Sequence, residues 1–158
     1  MFQVGDRIAH PMHGAGVIDS IEEKRINGCT RQYYVLKMPT GGMVVMIPTE
    51  SCRAIGVRPI VGSEEAESIM TSISEIDAEM TSNWNRRYRE NMQRLKSGDL
   101  VEVAKVVKGL MSRDVEKGLS TGERKMLHSA KQILISEIVL SQKVSYEEVE
   151  MRINAALA

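Results

Sequence analysis

The stretch VIDSIEEKRINGCTRQYYVLK, residues 17–37, decides how the first part of this chain folds. Asn27-Gly28 sits near its middle, and both residues tolerate the positive φ that a two-residue hairpin turn between twisted strands requires. Before the turn, residues 17–26 alternate imperfectly, with Val17 and Ile21 among the apolar positions. After it, Tyr33-Tyr34-Val35-Leu36 has the aromatic and β-branched character of a strand. Working outward, Arg7-Ile8-Ala9-His10 reads as a short strand and PMHGAG, residues 11–16, as turn chemistry. Downstream, Pro39-Thr40-Gly41-Gly42 makes the next turn, Met43–Ile47 the next strand, and Pro48 its stop. Cys52–Val57 is long enough for a closing strand. Short strands of this kind bury little as an open sheet, so a small SH3- or Tudor-like β-barrel is expected.

From residue 63 onward the periodicity is helical. Ser63 is placed to cap a helix whose first turn carries Glu64 and Glu65, where the helix dipole favours acids. A second helix starts near Ser82 or Asn83 and stops at Gly98. Asp99 with Glu102, Ser120 with Glu123 and Ser145 with Glu148 have capping-box spacing. Each opens an amphipathic run: Leu100, Val103, Val107 and Leu110; then Leu127, Ile133, Leu134 and Ile138; then Val149, Ile153 and Leu157. Gly98 and Gly118 stand where helix-terminating glycines belong. The expected architecture is α+β in two domains, a barrel over residues 1–61 and an all-α bundle over 62–158.

The composition is that of an ordinary soluble chain, 42% hydrophobic and 27% charged, with no apolar run long enough to span a bilayer. The opening MFQVGDRIAH carries charge where a secretory leader needs an apolar core, so no leader, no membrane partner and a cytoplasmic location are expected. Formal net charge is zero, which at first argues against a nucleic-acid partner. The distribution reverses that. Residues 61–80 hold six acids and no Lys or Arg, whereas 81–131 hold twelve Lys/Arg against six acids. At ~0.15 M salt the screening length is about 8 Å, so charges in distant blocks do not neutralise one another locally. The basic block can meet a polyanion.

An enzyme is not expected. His10, His13 and His128 have no metal-ligand spacing, and Gly14-x-Gly16 lies between strands rather than opening a helix. Cys29 and Cys52 are far apart and make no C-x-x-C, so no metal, disulfide or cofactor is expected.

SNWNRRYRENMQRLKSG, residues 82–98, is the most informative segment. On a helix Trp84, Tyr88, Met92 and Leu95 form one stripe, with Arg86, Arg89, Gln93 and Lys96 on its flank and back and Arg87 next to Trp84. One reading makes the stripe core and the arginines a solvated face. The other singles out Trp84, the one tryptophan, which sits in the first turn beside Arg86 and Arg87. A large apolar ring beside guanidiniums suits insertion into a DNA minor groove. Local sequence leaves both open, a buried bundle-capping tryptophan and a wedge. Arg113, Arg124 and Lys125 add positive charge at the ends of neighbouring helices.

The segments VGDRIAHPMHGAGVIDSIEE, YYVLKMP, VMIPTESCRAIGVR, NWNRRYRENMQRLKSGD and RDVEKGLSTGERKMLHSAKQIL together resemble the CarD/CdnL family of bacterial transcription regulators. The resemblance spans nearly the whole chain, and the first half also resembles the polymerase-interacting domain of the transcription-repair coupling factor. It implies a Tudor-like domain that binds the RNA polymerase β subunit, joined to a helical domain that binds promoter DNA at the upstream edge of the bubble, at the −10 element. There the family tryptophan, matching Trp84, wedges into the minor groove and stabilises the open complex. The accompanying basic contacts match Arg86, Arg87, Arg89, Arg113 and Arg124. On the barrel, a basic polymerase contact matches Lys24, beside Arg25, and a second aligns with the uncharged Met46. That leaves either apolar packing or a weaker contact at Met46. A monomer is expected. A barrel-plus-helices protein–protein adaptor without DNA contact is the competing reading, and it requires Trp84 to be buried.

Overall fold

The computed structural model describes residues 1–39 and 41–158. In the first half, strands β1 (Arg7–His10), β2 (Gly14–Ile26), β3 (Cys29–Lys37), β4 (Val44–Pro48) and β5 (Arg58–Pro59) form one antiparallel sheet in the order β4-β3-β2-β1-β5. Asn27 and Gly28 both take positive φ, 52° and 80°, and join β2 to β3 in the tight turn their side chains permit. The imperfect alternation of β2 has a physical cause. A bulge at Asp19 shifts the register between Ile18 and Ser20, so Ile18 pairs with Leu36 and Ile21 with Tyr34. Ile18 and Ile21 thereby share a face that unbroken alternation would have split. Of the Pro39–Gly42 turn, Thr40 lies outside the described residues.

The sheet is open, where a closed barrel was expected. β4 and β5 are the two ends of the strand order and do not pair with each other. The expected closing strand is the reason. Residues 52–57 begin with a helical turn, α1 (Cys52–Ile55), ended by Gly56 at φ 96°, whose N–H bonds back to the carbonyls of Cys52 and Arg53. The strand after this turn, β5, is only two residues long, and Pro59 has no N–H to give a further neighbour. α1 still serves the core. Cys52 and Val57 are buried with Ile8, Ile18, Tyr34, Leu36, Met38 and Ile47 against the sheet.

The second half comprises α2 (Ser63–Ser72), α3 (Trp84–Lys96), α4 (Leu100–Lys117), α5 (Thr121–Gln142) and α6 (Tyr146–Ala156). Local caps set most of the boundaries. The side chains of Asn83, Asp99, Ser120 and Ser145 accept from backbone N–H groups of the helices they precede. Ser63 does not cap; it is the first helical residue of α2, and Gly62 precedes it without a side-chain bond. Gly98 and Gly118 both take φ 76° just past α3 and α4. The apolar runs meet in one core around α5, with Leu100, Val103, Val107, Leu110, Ile133, Leu134, Ile138, Val149 and Ile153 buried, while Leu127 and Leu157 pack against it partly exposed.

α5 also carries the junction with the sheet. Ala15 N–H donates to Ser136 Oγ at 2.9 Å. Gly14 has φ 96°, and a Cβ there would stand 2.5 Å from Ser136 Oγ, so close approach of β2 to α5 requires a glycine. Glu137 is 1% exposed and accepts from Arg58 at 2.7 and 2.9 Å and from Val61 N–H at 2.8 Å.

Candidate nucleic-acid interface

The start of α3 is built by Asn83, whose Oδ1 accepts from Arg86 N–H at 2.9 Å and so places Trp84 at the first helical position. From there the indole reaches the start of α5. Its Nε1–H donates to Ser120 Oγ at 3.1 Å, and its ring stacks on Tyr88 with centroids 5.1 Å apart and planes 17° from parallel. A Cβ added at Gly122 would stand 3.7 Å from each of the same two rings, at ordinary van der Waals range. Trp84 remains 42% exposed, so the ring is held on one face and one edge and open on the rest.

The stripe read from the sequence is rotated in the structure. Leu95 is buried and Tyr88 and Met92 are half-buried, but the innermost residues of α3 also include Arg87 and Asn91, each 1% exposed. Arg87 is therefore not on a face that DNA can reach. Its Nε and Nη2 donate to the Glu123 carboxylate at 2.7 and 3.0 Å, and Nη1 donates to the carbonyls of Thr81 and Ser82, both at 3.1 Å. The hydrogen bonds to Glu123 hold the Arg87 pKa above its ordinary value. Glu123 stands in the capping-box position after Ser120, yet its carboxylate turns inward to Arg87 instead of back to the cap.

The other basic positions are accessible in different degrees. Arg86 and Arg89 are exposed, and Arg86 Nε is bonded to Glu90 at 2.9 Å. Arg124 is exposed in the first turn of α5, with Nε on the Leu119 carbonyl at 3.2 Å. Arg113 is half-buried on α4, where it lines an open groove of about 640 Å³ with Ser82, Lys108 and Lys117, but also with Asp77 and Glu79. The structure thus brings Trp84 to the start of α5, the helix turn that carries Arg124. Ser120 and Glu123 are the residues at this site whose part the sequence did not disclose. Their capping-box spacing was legible, but nothing local pointed to partners 36 positions away.

On the sheet, Lys24, Arg25 and Met46 do not form one patch. Lys24 pairs with Arg31, and Val35 lies between Ser20 on β2 and Met46 on β4. Alternation along β2 and β3 puts Lys24, Arg31 and Met46 on one face and sends Arg25 to the other. The Lys24 face is partly apolar at the surface, with Met46 40%, Val44 52% and Ile26 54% exposed.

Among the described residues, no cluster of His, Cys, Asp or Glu is arranged to hold a metal ion, and no helix is long and apolar enough to cross a membrane. Residues 2–61 match the family described as the CarD-like/TRCF RID domain, and residues 68–154 match the CarD C-terminal domain. A Bacillus subtilis (strain 168) protein named "Putative transcription factor YdeB" is 37% identical over 150 residues, which cover 95% of this chain and 98% of that protein. Matched in both halves and in the same order, the chain belongs to the CarD-like family of transcription factors.

Proposed function

We propose that this protein is an accessory factor of bacterial RNA polymerase that stabilises the open promoter complex. In this reading residues 1–61 form the unit that binds the polymerase β subunit. Residues 62–158 form the unit that holds promoter DNA at the upstream edge of the bubble, with Trp84 as a minor-groove wedge at the −10 element. The observation that carries it is Trp84 itself: the one tryptophan of the chain, 42% exposed, pinned between two helix starts within the basic segment of residues 81–131. A protein–protein adaptor would bury that ring, and its exposure favours the wedge. Arg86, Arg89, Arg113 and Arg124 are the proposed phosphate contacts. Arg87 is left out of the set because its donors are spent inside.

The energetics suit such a factor. A few arginines and one ring bind free duplex weakly and with little sequence preference. Tethering to polymerase raises the effective concentration at the junction and makes weak binding sufficient. Unstacking a base step costs a few kcal/mol, least where polymerase has already distorted the duplex. The factor then shifts the equilibrium by its differential affinity for the melted state, which requires no catalysis and no cofactor. It works as a monomer in the cytoplasm, reaching the nucleoid through polymerase. The resemblance of residues 2–61 to a polymerase-interacting domain supports the tether. The test is Trp84→Ala, assayed with polymerase holoenzyme on a promoter. Pull-down of polymerase stays intact, while open-complex lifetime falls about tenfold, equivalent to ~1.4 kcal/mol. An unchanged lifetime removes the wedge.

A further inference from the structure

We infer that Ser120 is the positioning residue of the Trp84 wedge, its hydroxyl oxygen holding the indole in its outward pose; this rests on the wedge reading above. Two donors converge on that oxygen, Trp84 Nε1–H at 3.1 Å and the Glu123 backbone N–H at 3.2 Å. A serine hydroxyl has two acceptor lone pairs, so both are occupied. The cap bond fixes where the oxygen stands, because it ties the side chain to the first turn of a 22-residue helix. Glu123, which donates that cap bond, is also the residue gripped by Arg87, so the starts of α3 and α5 are locked at a set spacing. The indole therefore meets an acceptor whose position the helix backbone dictates.

Orientation is the consequence of this bond, rather than satisfaction of a polar group. At 42% exposure, water can serve Nε1–H, so no burial penalty forces the contact. Tyr88 holds one face of the ring and leaves it free to slide in its own plane; the bond to Ser120 removes that freedom. A ring already fixed in one rotamer inserts without surrendering side-chain freedom at the moment of binding, which is what preorganisation contributes to affinity.

The experiment uses the full chain with polymerase holoenzyme on a promoter and combines Ser120→Gly, Ser120→Thr and Trp84→Phe. Glycine is tolerated at a helix N-cap and lacks the hydroxyl. Ser120→Gly is expected to shorten open-complex lifetime about 3- to 10-fold, to leave polymerase pull-down unchanged, and to free fast rotation in the anisotropy decay of Trp84. Ser120→Thr restores both. In the Trp84→Phe background, which keeps an aromatic ring but has no N–H, Ser120→Gly has no further effect, as coupling through that bond demands. Equal losses in both backgrounds would mean that Ser120 only caps α5, and an unchanged lifetime in Ser120→Gly would equally overturn the inference. Trp84→Ala in parallel separates the two failures. If that variant shortens the lifetime and Ser120→Gly does not, the wedge stands and the positioning role falls. If Trp84→Ala changes nothing, the wedge itself falls and the positioning role goes with it.

Discussion

Arg87 and Glu123 meet as a bidentate pair, Nε to Oε2 at 2.7 Å and Nη2 to Oε1 at 3.0 Å, with neither side chain more than 2% exposed. Two opposite charges are thus taken out of water at the start of the two helices that frame Trp84. The remaining guanidinium group, Nη1, holds the carbonyls of Thr81 and Ser82, the residues that lead into the α3 cap. One side chain organises the loop, the cap and the neighbouring helix together.

Removing one member of a buried pair leaves the other charge without compensation, which costs about 3–5 kcal/mol. Arg87→Ala and Glu123→Ala should each lose stability on that scale in urea titrations. Replacing both at once, as Arg87→Met with Glu123→Leu, removes the stranded charge and should recover most of the loss. A double variant no more stable than the singles would show that the pair is not what holds α3 to α5.

A second ionic contact joins the sheet to the helices. Arg58 on β5 is 30% exposed by its side chain, while its partner Glu137 on α5 is 1% exposed and also receives the Val61 N–H. Arg58 Nε continues to the Gly98 carbonyl at 2.7 Å, so one arginine ties β5 to α5 and to the end of α3. Glu137→Ala strands the Val61 donor and the guanidinium, and hydrogen bonds to charged groups of this kind are each worth about 1.5–3 kcal/mol. The expected result is faster hydrogen exchange at Ala15 and Val61 and new protease cleavage near residues 60–62, with the α4–α5 core still protected. Unchanged exchange at Val61 would contradict the assignment.

The features legible in the sequence were those determined within a few residues. Asn27-Gly28 demands its turn through backbone sterics, and Asn83, Asp99, Ser120 and Ser145 cap through contacts two or three residues away. Cys52–Val57 misled because length alone suited a strand, whereas Gly56 in the left-handed region closes a helical turn there. The bulge at Asp19 could not be foreseen, because it exists only relative to β3. Arg87 escaped for a related reason. Arg87, Asn91 and Leu95 lie four apart and share a helix face, but two of the three are polar, so hydropathy marks that face as solvent. Only the partner 36 positions away, Glu123, makes it interior.

The acid limb of stability has a local contributor. Arg152 on α6 holds Glu67 on α2 through both guanidinium ends, and Gln142 adds a bond at 3.0 Å. These bonds, Arg152 first, lower the Glu67 pKa from 4.5 to about 2. A depressed carboxylate pKa stabilises the folded state above the ordinary value and loses that contribution as pH falls from about 4.5 through about 2. The pair is exposed, so the effect is small and shrinks with added salt. Glu67→Gln should flatten the melting temperature between those two pH values while leaving its slope at higher pH unchanged. An unaltered acid slope would show that the contact is not formed in solution.

The geometry of the β2–β3 hairpin separates residues that stand side by side in the chain. Lys24 and Arg25 are neighbours in sequence but project to opposite faces, and Met46, two strands away, joins Lys24 rather than Arg25. If the Lys24 face is the proposed polymerase contact, its chemistry is cationic, Lys24 with its cross-strand partner Arg31, beside exposed apolar side chains, Met46 at 40% and Val44 at 52%. Such a surface binds by burial at its centre and uses charge mainly for steering and register. Lys24→Glu should therefore slow association with the β subunit and change how that rate depends on salt. Met46→Asp should mainly speed dissociation, because it places a charge where apolar area is to be buried. Arg25→Glu should leave both rates near those of the unaltered protein. All three positions are surface-exposed on strands, so circular dichroism and melting temperature should hold across the set. Surface plasmon resonance on immobilised β subunit reads both rates directly. A loss confined to Arg25→Glu would move the contact to the opposite face of the hairpin, and equal losses at all three positions would mean that polymerase engages both faces of the sheet.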